Sequence, residues 1–197
     1  MRFAFIVISA LTLALPSYAW AAEPPAVPAS KPAPVLTKAQ RLDDLFADLK
    51  KARSEIIADA TAQAINREWA QSGSASIDLL MQWANGAIDR QDYPQALDFL
   101  DQVIVLQPDF AEGWNRRATL HFLMNNFSKS MADIERTLEL EPRHFGALAG
   151  MGQIFVALER KELALKSFER ALEVYPMMRN VQKQVGELAD ELAGSGI

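Results

Sequence analysis

Cysteine is absent from the 197 residues. That excludes disulfides, thiol nucleophiles and thiolate metal sites. It also excludes the lipidated cysteine that a bacterial lipoprotein carries at its cleavage site. A basic excess is missing too: 20 Lys and Arg stand against 25 Asp and Glu, for a net charge of −5. The chain therefore has no global electrostatic footprint for nucleic acid. Histidine occurs only at positions 121 and 144. No HExxH, GxSxG or phosphate-cradling glycine loop is present, so no metalloprotease, hydrolase or nucleotide motif points to catalysis. Beyond the first turns of sequence, no run is apolar enough to cross a bilayer.

What is present is enough apolar side chain for one core. Half of the residues are hydrophobic, and the length suits a single domain. The start reads as an export signal. Arg2 is the positive end, residues 3–15 form an apolar run broken by Ser9 and Thr12, and Ala19-Trp20-Ala21 fits small-x-small cleavage. This predicts a signal peptide over 1–21, cleavage after Ala21 and a periplasmic destination. The alternative is an uncleaved anchor, for which the run is short. Residues 22–36 are rich in proline and alanine. Proline lacks an amide hydrogen and fixes φ, so an extended tether is expected rather than helix. The other reading of this segment is a docking motif for a proline-binding module.

From residue 77 onward the sequence repeats itself. Pro108, Pro142 and Pro176 are spaced by 34 residues. So are Leu80, Trp114 and Leu148; Ala84, Ala118 and Gly152; Leu100, Ile134 and Phe168; and Val103, Thr137 and Ala171. A period of 34 is that of a helix-turn-helix solenoid. Its units would span 77–110, 111–144 and 145–178. Turns are expected at 89–93, at Asn125-Asn126, where both side chains tolerate left-handed backbone, and near Arg160. Pro94 is tolerated in the first turn of a helix.

With Ala96, Ser130 and Ala164 between these landmarks, the pattern resembles the tetratricopeptide repeat (TPR) family. The departures are Val103 and Thr137, larger than the usual alanine, and Ala87 and His121 at a position that Phe155 fills in the third unit. The resemblance covers residues 77–176, about half the chain. It implies an all-α, right-handed α-solenoid of helix-turn-helix repeats.

Two further helical patterns precede the repeats. Leu42, Leu45, Phe46 and Leu49 recur at helical spacing after Thr37, a good N-cap, and a second pattern runs over 55–70. Together, over 37–73, they are expected to form a degenerate repeat-like pair capping the N-terminal end of the array. One long bent helix is the alternative. After Pro176 a stripe of Val181, Val185, Leu188 and Leu192 predicts a C-terminal capping helix over 179–194, since end units must present one face to water.

The resemblance implies that the first helices of successive units line a concave surface. The candidate partner-binding residues there are Met81, Asn85, Asn115, Arg116, Thr119, Phe122 and Gln153. Asparagine and glutamine can hydrogen-bond an extended backbone, while Phe122 and Met81 can hold side chains. The alternative is a groove filled by the N-terminal helices. Family members that clamp a chaperone's C-terminal carboxylate use Lys, Lys and Arg where this chain has Met81, Gly146 and Gly150, which argues against that clamp here. Arg117 is expected to pair with Asp133, and Arg116 to project toward the groove. His121 is expected in the core, hydrogen-bonded, and His144 at the surface. Gly150 and Gly152 are read as close-packing positions. No catalytic set, metal site or cofactor is expected. The reading is a non-catalytic adaptor for a protein or extended peptide in the bacterial cell envelope. Its rival is a permanent structural subunit of a larger envelope complex or a self-associating array.

Overall fold

The computed structural model describes residues 36–194. The expected signal peptide and most of the proline-rich linker lie outside the described residues, as does the tail after Gly194. Within them the chain is all-α: α1 Lys38–Lys51, α2 Glu55–Ala70, α3 Ala75–Asp89, α4 Tyr93–Leu106, α5 Ala111–Leu123, α6 Phe127–Leu140, α7 Phe145–Ala157, α8 Lys161–Val174 and α9 Arg179–Gly194. No strand occurs among the described residues.

The 34-residue period is visible in backbone geometry as well as in side chains. Gln91, Asn125 and Glu159 all take positive φ, at 60°, 59° and 57°. Each follows the first helix of a unit. Each is succeeded by an amide that reaches back five residues: Asp92 to the Ala87 carbonyl, Asn126 to His121 and Arg160 to Phe155. This is the Schellman closure, which satisfies the orphan carbonyls at a helix end. At the second turn only Asn125 is left-handed, because Asn126 instead becomes the N-cap of α6 at φ −83°. Asp92 caps α4 through the Gln95 amide, with Pro94 in the first turn.

Helices pair as α3–α4, α5–α6 and α7–α8, and successive pairs stack. Within a pair, the small residue of the first helix meets the large residue of the second. The sizes compensate along the array: Ala84 with Leu100, Ala118 with Ile134, Gly152 with Phe168. Gly152 is required by that exchange, because a Cβ there would lie 2.4 Å from the Phe168 ring. Gly150 is not a close-packing position: its Cβ would stand at an ordinary 3.5 Å from Ile134. Helix α9 closes the C-terminal end, burying Val181 and Leu188 beside Phe168 and Ala171.

The two N-terminal helices form, as separate helices, but not in the expected place. Thr37 makes a reciprocal cap with Gln40 at the start of α1, and Ser54 caps α2. The pair does not stack on α3 as a preceding unit would. Its core residues, Leu42, Phe46, Leu49, Ile65 and Trp69, cluster with Phe145 and Tyr175 from the third unit. It lies along the edge made by the turns between units. The reason is the sequence at those turns. Arg143 binds Asp43 at 2.7 Å and covers the Phe46 ring, Trp69 stacks on His144 at 4.1 Å, Gln107 donates to the Ser72 carbonyl, Tyr175 donates to Asp59, and Arg179 pairs with Glu55 at 2.9 Å.

Candidate functional site

Helices α5, α6 and α7 enclose an open cavity of about 150 Å³. Ala118, Ile134 and Ala147 supply apolar lining, and Phe122 stands beside them with its ring 5.7 Å from Phe127. Asn115, Thr119 and Gln153 bring the polar groups. Four of the seven residues expected in a groove, Asn115, Thr119, Phe122 and Gln153, thus line one space. Gly146 and Gly150 line it too. Lacking side chains, they leave open the room that Lys and Arg would fill in a carboxylate clamp.

The other three depart from expectation. Met81 is buried and packs in the core of the first unit with Ala84, Leu100 and Phe110. Asn85 is half-buried and does not border the cavity. Arg116 is partly exposed but turned onto its own helix: its Nη2 donates to Glu112 at 3.1 Å, and its Nε is buried with no hydrogen-bond partner among the described residues. This ion pair one turn back along α5 competes with a partner carboxylate for the Arg116 cation.

Glu112 belongs to a buried network that the sequence reading missed. Its carboxylate accepts from Asn115 Nδ2 at 3.0 Å and from Arg116, and lies 3.2 Å from His144 Nε2. His144 is not a surface residue. It is buried, stacked between the Trp69 ring and the array, and its Nδ1 accepts the Ala147 amide as the N-cap of α7. An accepting Nδ1 fixes the proton on Nε2, which donates to Glu112. Burial works against the charge of Glu112, but the His144 bond, the Arg116 charge and Asn115 together hold its carboxyl below the ordinary range. The only signal in the sequence was the acid at 112 beside two arginines. Trp69 lies outside the repeat period, so nothing pointed to its stacking partner.

Arg117 behaves as expected. Its fork binds Asp133 through two hydrogen bonds of 2.8 and 2.7 Å, and it also reaches Asp101 of α4 at 2.6 Å. His121 is buried as expected but not satisfied: its Nδ1 has no partner among the described residues, and burial pushes the imidazole below its ordinary pKa.

Among the described residues no cluster of three or more His, Asp or Glu could hold a metal ion, and no helix is long and apolar enough to cross a membrane. The cavity between α5, α6 and α7 offers apolar contact and hydrogen bonding.

A tetratricopeptide repeat family model matches residues 145–176, the third unit. The chain is 54% identical over 156 residues to a TPR repeat-containing protein of Rhizobium etli, covering 79% of this chain and 76% of that one. It is 25% identical over 87 residues to anaphase-promoting complex subunit 3 of Schizosaccharomyces pombe, 44% of this chain but 13% of that much longer one. In structure it is similar to the first TPR domain of Spaghetti (RPAP3), solved bound to the HSP90 peptide SRMEEVD, with a TM-score of 0.58 at 22% identity over 61% of this chain and 95% of that one. Repeat period, helix pairing and relatives agree, and the chain belongs to the tetratricopeptide repeat family.

Proposed function

We propose that this protein is a non-catalytic adaptor of the bacterial periplasm that holds an extended segment of another protein against α5 and α7. The observation that carries the reading is the cavity and its size. At about 150 Å³ it is too small for a drug-sized molecule, whose pockets span roughly 300–1,000 Å³. It suits one large apolar side chain. The Gln153 amide, without an intramolecular hydrogen bond among the described residues, stands beside it to bond a peptide backbone. Asn115 commits one of its two amide N–H groups to Glu112, and Thr119 donates its hydroxyl proton to the Asn115 backbone carbonyl, which leaves both side-chain oxygens unused as acceptors among the described residues. Their oxygens therefore serve as acceptors for a partner's amides. Because the helices are already packed, binding orders little besides the ligand, and affinity follows from preorganisation. The signal-like start, from Arg2 to Ala21, supports the periplasmic assignment.

The test is affinity capture from an envelope extract with the chain from Ala22 as bait. A variant with Asn115→Ala, Thr119→Ala and Phe122→Ala, matched for helicity, runs beside it. The expected outcome is a partner held by the native bait and lost by the variant, and a synthetic segment of that partner then binding with the same dependence. Retention of the same partners by the variant would remove the groove from consideration.

A further inference from the structure

A second surface lies at the opposite end of the array from α9. Leu79 and Trp83 on α3 are 42% and 49% exposed, and Trp83 packs its ring 5.6 Å from Phe99 of α4. Leu106, on the same stripe of α4 as Phe99, is 64% exposed. A cavity of about 410 Å³ opens there, with Gln82, Arg90 and Gln95 at its rim and no residue of α1 or α2 in its lining.

Repeat register identifies what this face is. The residues 34 positions after Leu79 and Trp83 are Gly113 and Arg117. A Cβ on Gly113 would lie 2.8 Å from Val103 of the preceding unit, and Arg117 binds Asp101 of that unit. Another 34 positions on, Ala147 is fully packed against the second unit. The same offset carries Gly86 to Leu120 and Ile154, both 0–1% exposed. These are the positions through which each unit receives the one before it. In the first unit Leu79 and Trp83 are exposed apolar side chains and receive no other unit among the described residues, because the helix pair that precedes it in sequence packs along the turn edge instead.

We propose that this face joins two copies of the chain around a two-fold axis, α3–α4 against α3–α4. Three observations select a second copy in this arrangement. The face is the receiving half of the inter-unit interface that the chain uses twice, and at both of those junctions a helix pair covers it. Of the residues lining its cavity only Arg90 is charged, so self-apposition there brings one cation from each copy and otherwise buries uncharged groups. The other end of the array offers no match, because α9 turns Lys183, Glu187, Asp190 and Glu191 outward. A head-to-tail filament therefore has no complementary surface, and an isologous contact closes. Two helices of 15 and 14 residues present a footprint of roughly 20 by 20 Å. A pair of such faces buries roughly 800–900 Å², below a standard stable interface, so the dimer is expected to be reversible.

Sedimentation of the purified protein from about 1 μM to about 1 mM tests this. The expected result is a mass that rises with concentration and stops at two copies. Trp83→Glu, at unchanged helicity, should weaken association by about thirtyfold or more, the loss typical of a buried aromatic anchor. Phe122→Ala should not change it. Because the chain has no cysteine, a single Gln82→Cys should form a disulfide-linked dimer under mild oxidation, while Gln182→Cys on α9 should not. A protein that stays monomeric throughout, or grows past two copies, or dimerises equally with Trp83→Glu, overturns the proposal.

Discussion

Gly150 and Gly152 sit two residues apart on α7 for opposite reasons. A methyl group at 152 would run into the Phe168 ring at 2.4 Å, and that ring is wholly buried and cannot yield cheaply. Glycine in a helix interior costs about 1 kcal/mol relative to alanine. Overpacking a core costs typically about 1–3 kcal/mol, and at this distance the clash outweighs the propensity gain. Gly152→Ala is thus expected to lower stability in urea unfolding. Gly150→Ala meets only an ordinary contact and is expected to raise it by about 1 kcal/mol, while narrowing the groove. Equal effects of the two changes would show that the Gly152–Phe168 contact is not the constraint. A second residue-scale case is His121. Its folded pKa is depressed, by burial first, with Arg117 and Lys129 adding and Asp133 and Asp101 opposing. The unfolded chain therefore takes up this proton first, and stability is lost as pH falls from the ordinary value of 6.5 through the folded one. His121→Phe, the residue type found at the equivalent Phe155, removes both that loss and an unpartnered buried nitrogen. Its advantage over the native chain should be about 1 kcal/mol at pH 7 and larger at pH 5. An advantage that does not grow on acidification would refute this account of His121.

At the scale of elements, the pair α1–α2 is the part whose position depends on few residues. Trp69 carries much of it, meeting Phe46, His144 and Phe145 and donating weakly to Glu141 at 3.4 Å. Burying an indole of this kind and then deleting it costs about 3–5 kcal/mol. Trp69→Ala should release the pair while the repeats persist, since Trp69 clusters with their Phe145 and Tyr175 but is absent from the clusters around Leu100, Ile134 and Phe168. Limited proteolysis should then cut first within residues 71–74, with the fragment after that point surviving. Simultaneous digestion of the whole chain would mean instead that pair and repeats form one cooperative unit.

For the whole described molecule, the placement of α1–α2 has two consequences at once. By lying along the turn edge, the pair covers the N-terminal ends of α5 and α7 and buries the Glu112–His144 network, yet leaves the Asn115–Gln153 cavity open. By not stacking on α3, it leaves Leu79 and Trp83 uncovered. The concave cavity and the α3–α4 face are therefore separate surfaces of one array. Phe122→Ala should disturb capture without changing association, and Trp83→Glu should do the reverse.

The repeat architecture could be read from sequence because it is written in local terms. A 34-residue period, small residues opposite large ones and proline after each second helix each act within one unit or between neighbours, where spacing along the chain sets distance in space. Of the seven residues that the same register assigned to one face, Asn115, Thr119, Phe122 and Gln153 line a common cavity. Met81 does not, because the first unit has its own core to fill. Arg116 does not, because a carboxylate one helical turn away claims it. The seat of the N-terminal pair, the burial of His144 and the exposure of Trp83 were decided only by tertiary structure. Each depends on a contact such as Trp69 with His144 or Arg143 with Asp43, between residues far apart in sequence and outside any period, and no local pattern specifies which distant partner an apolar face will find.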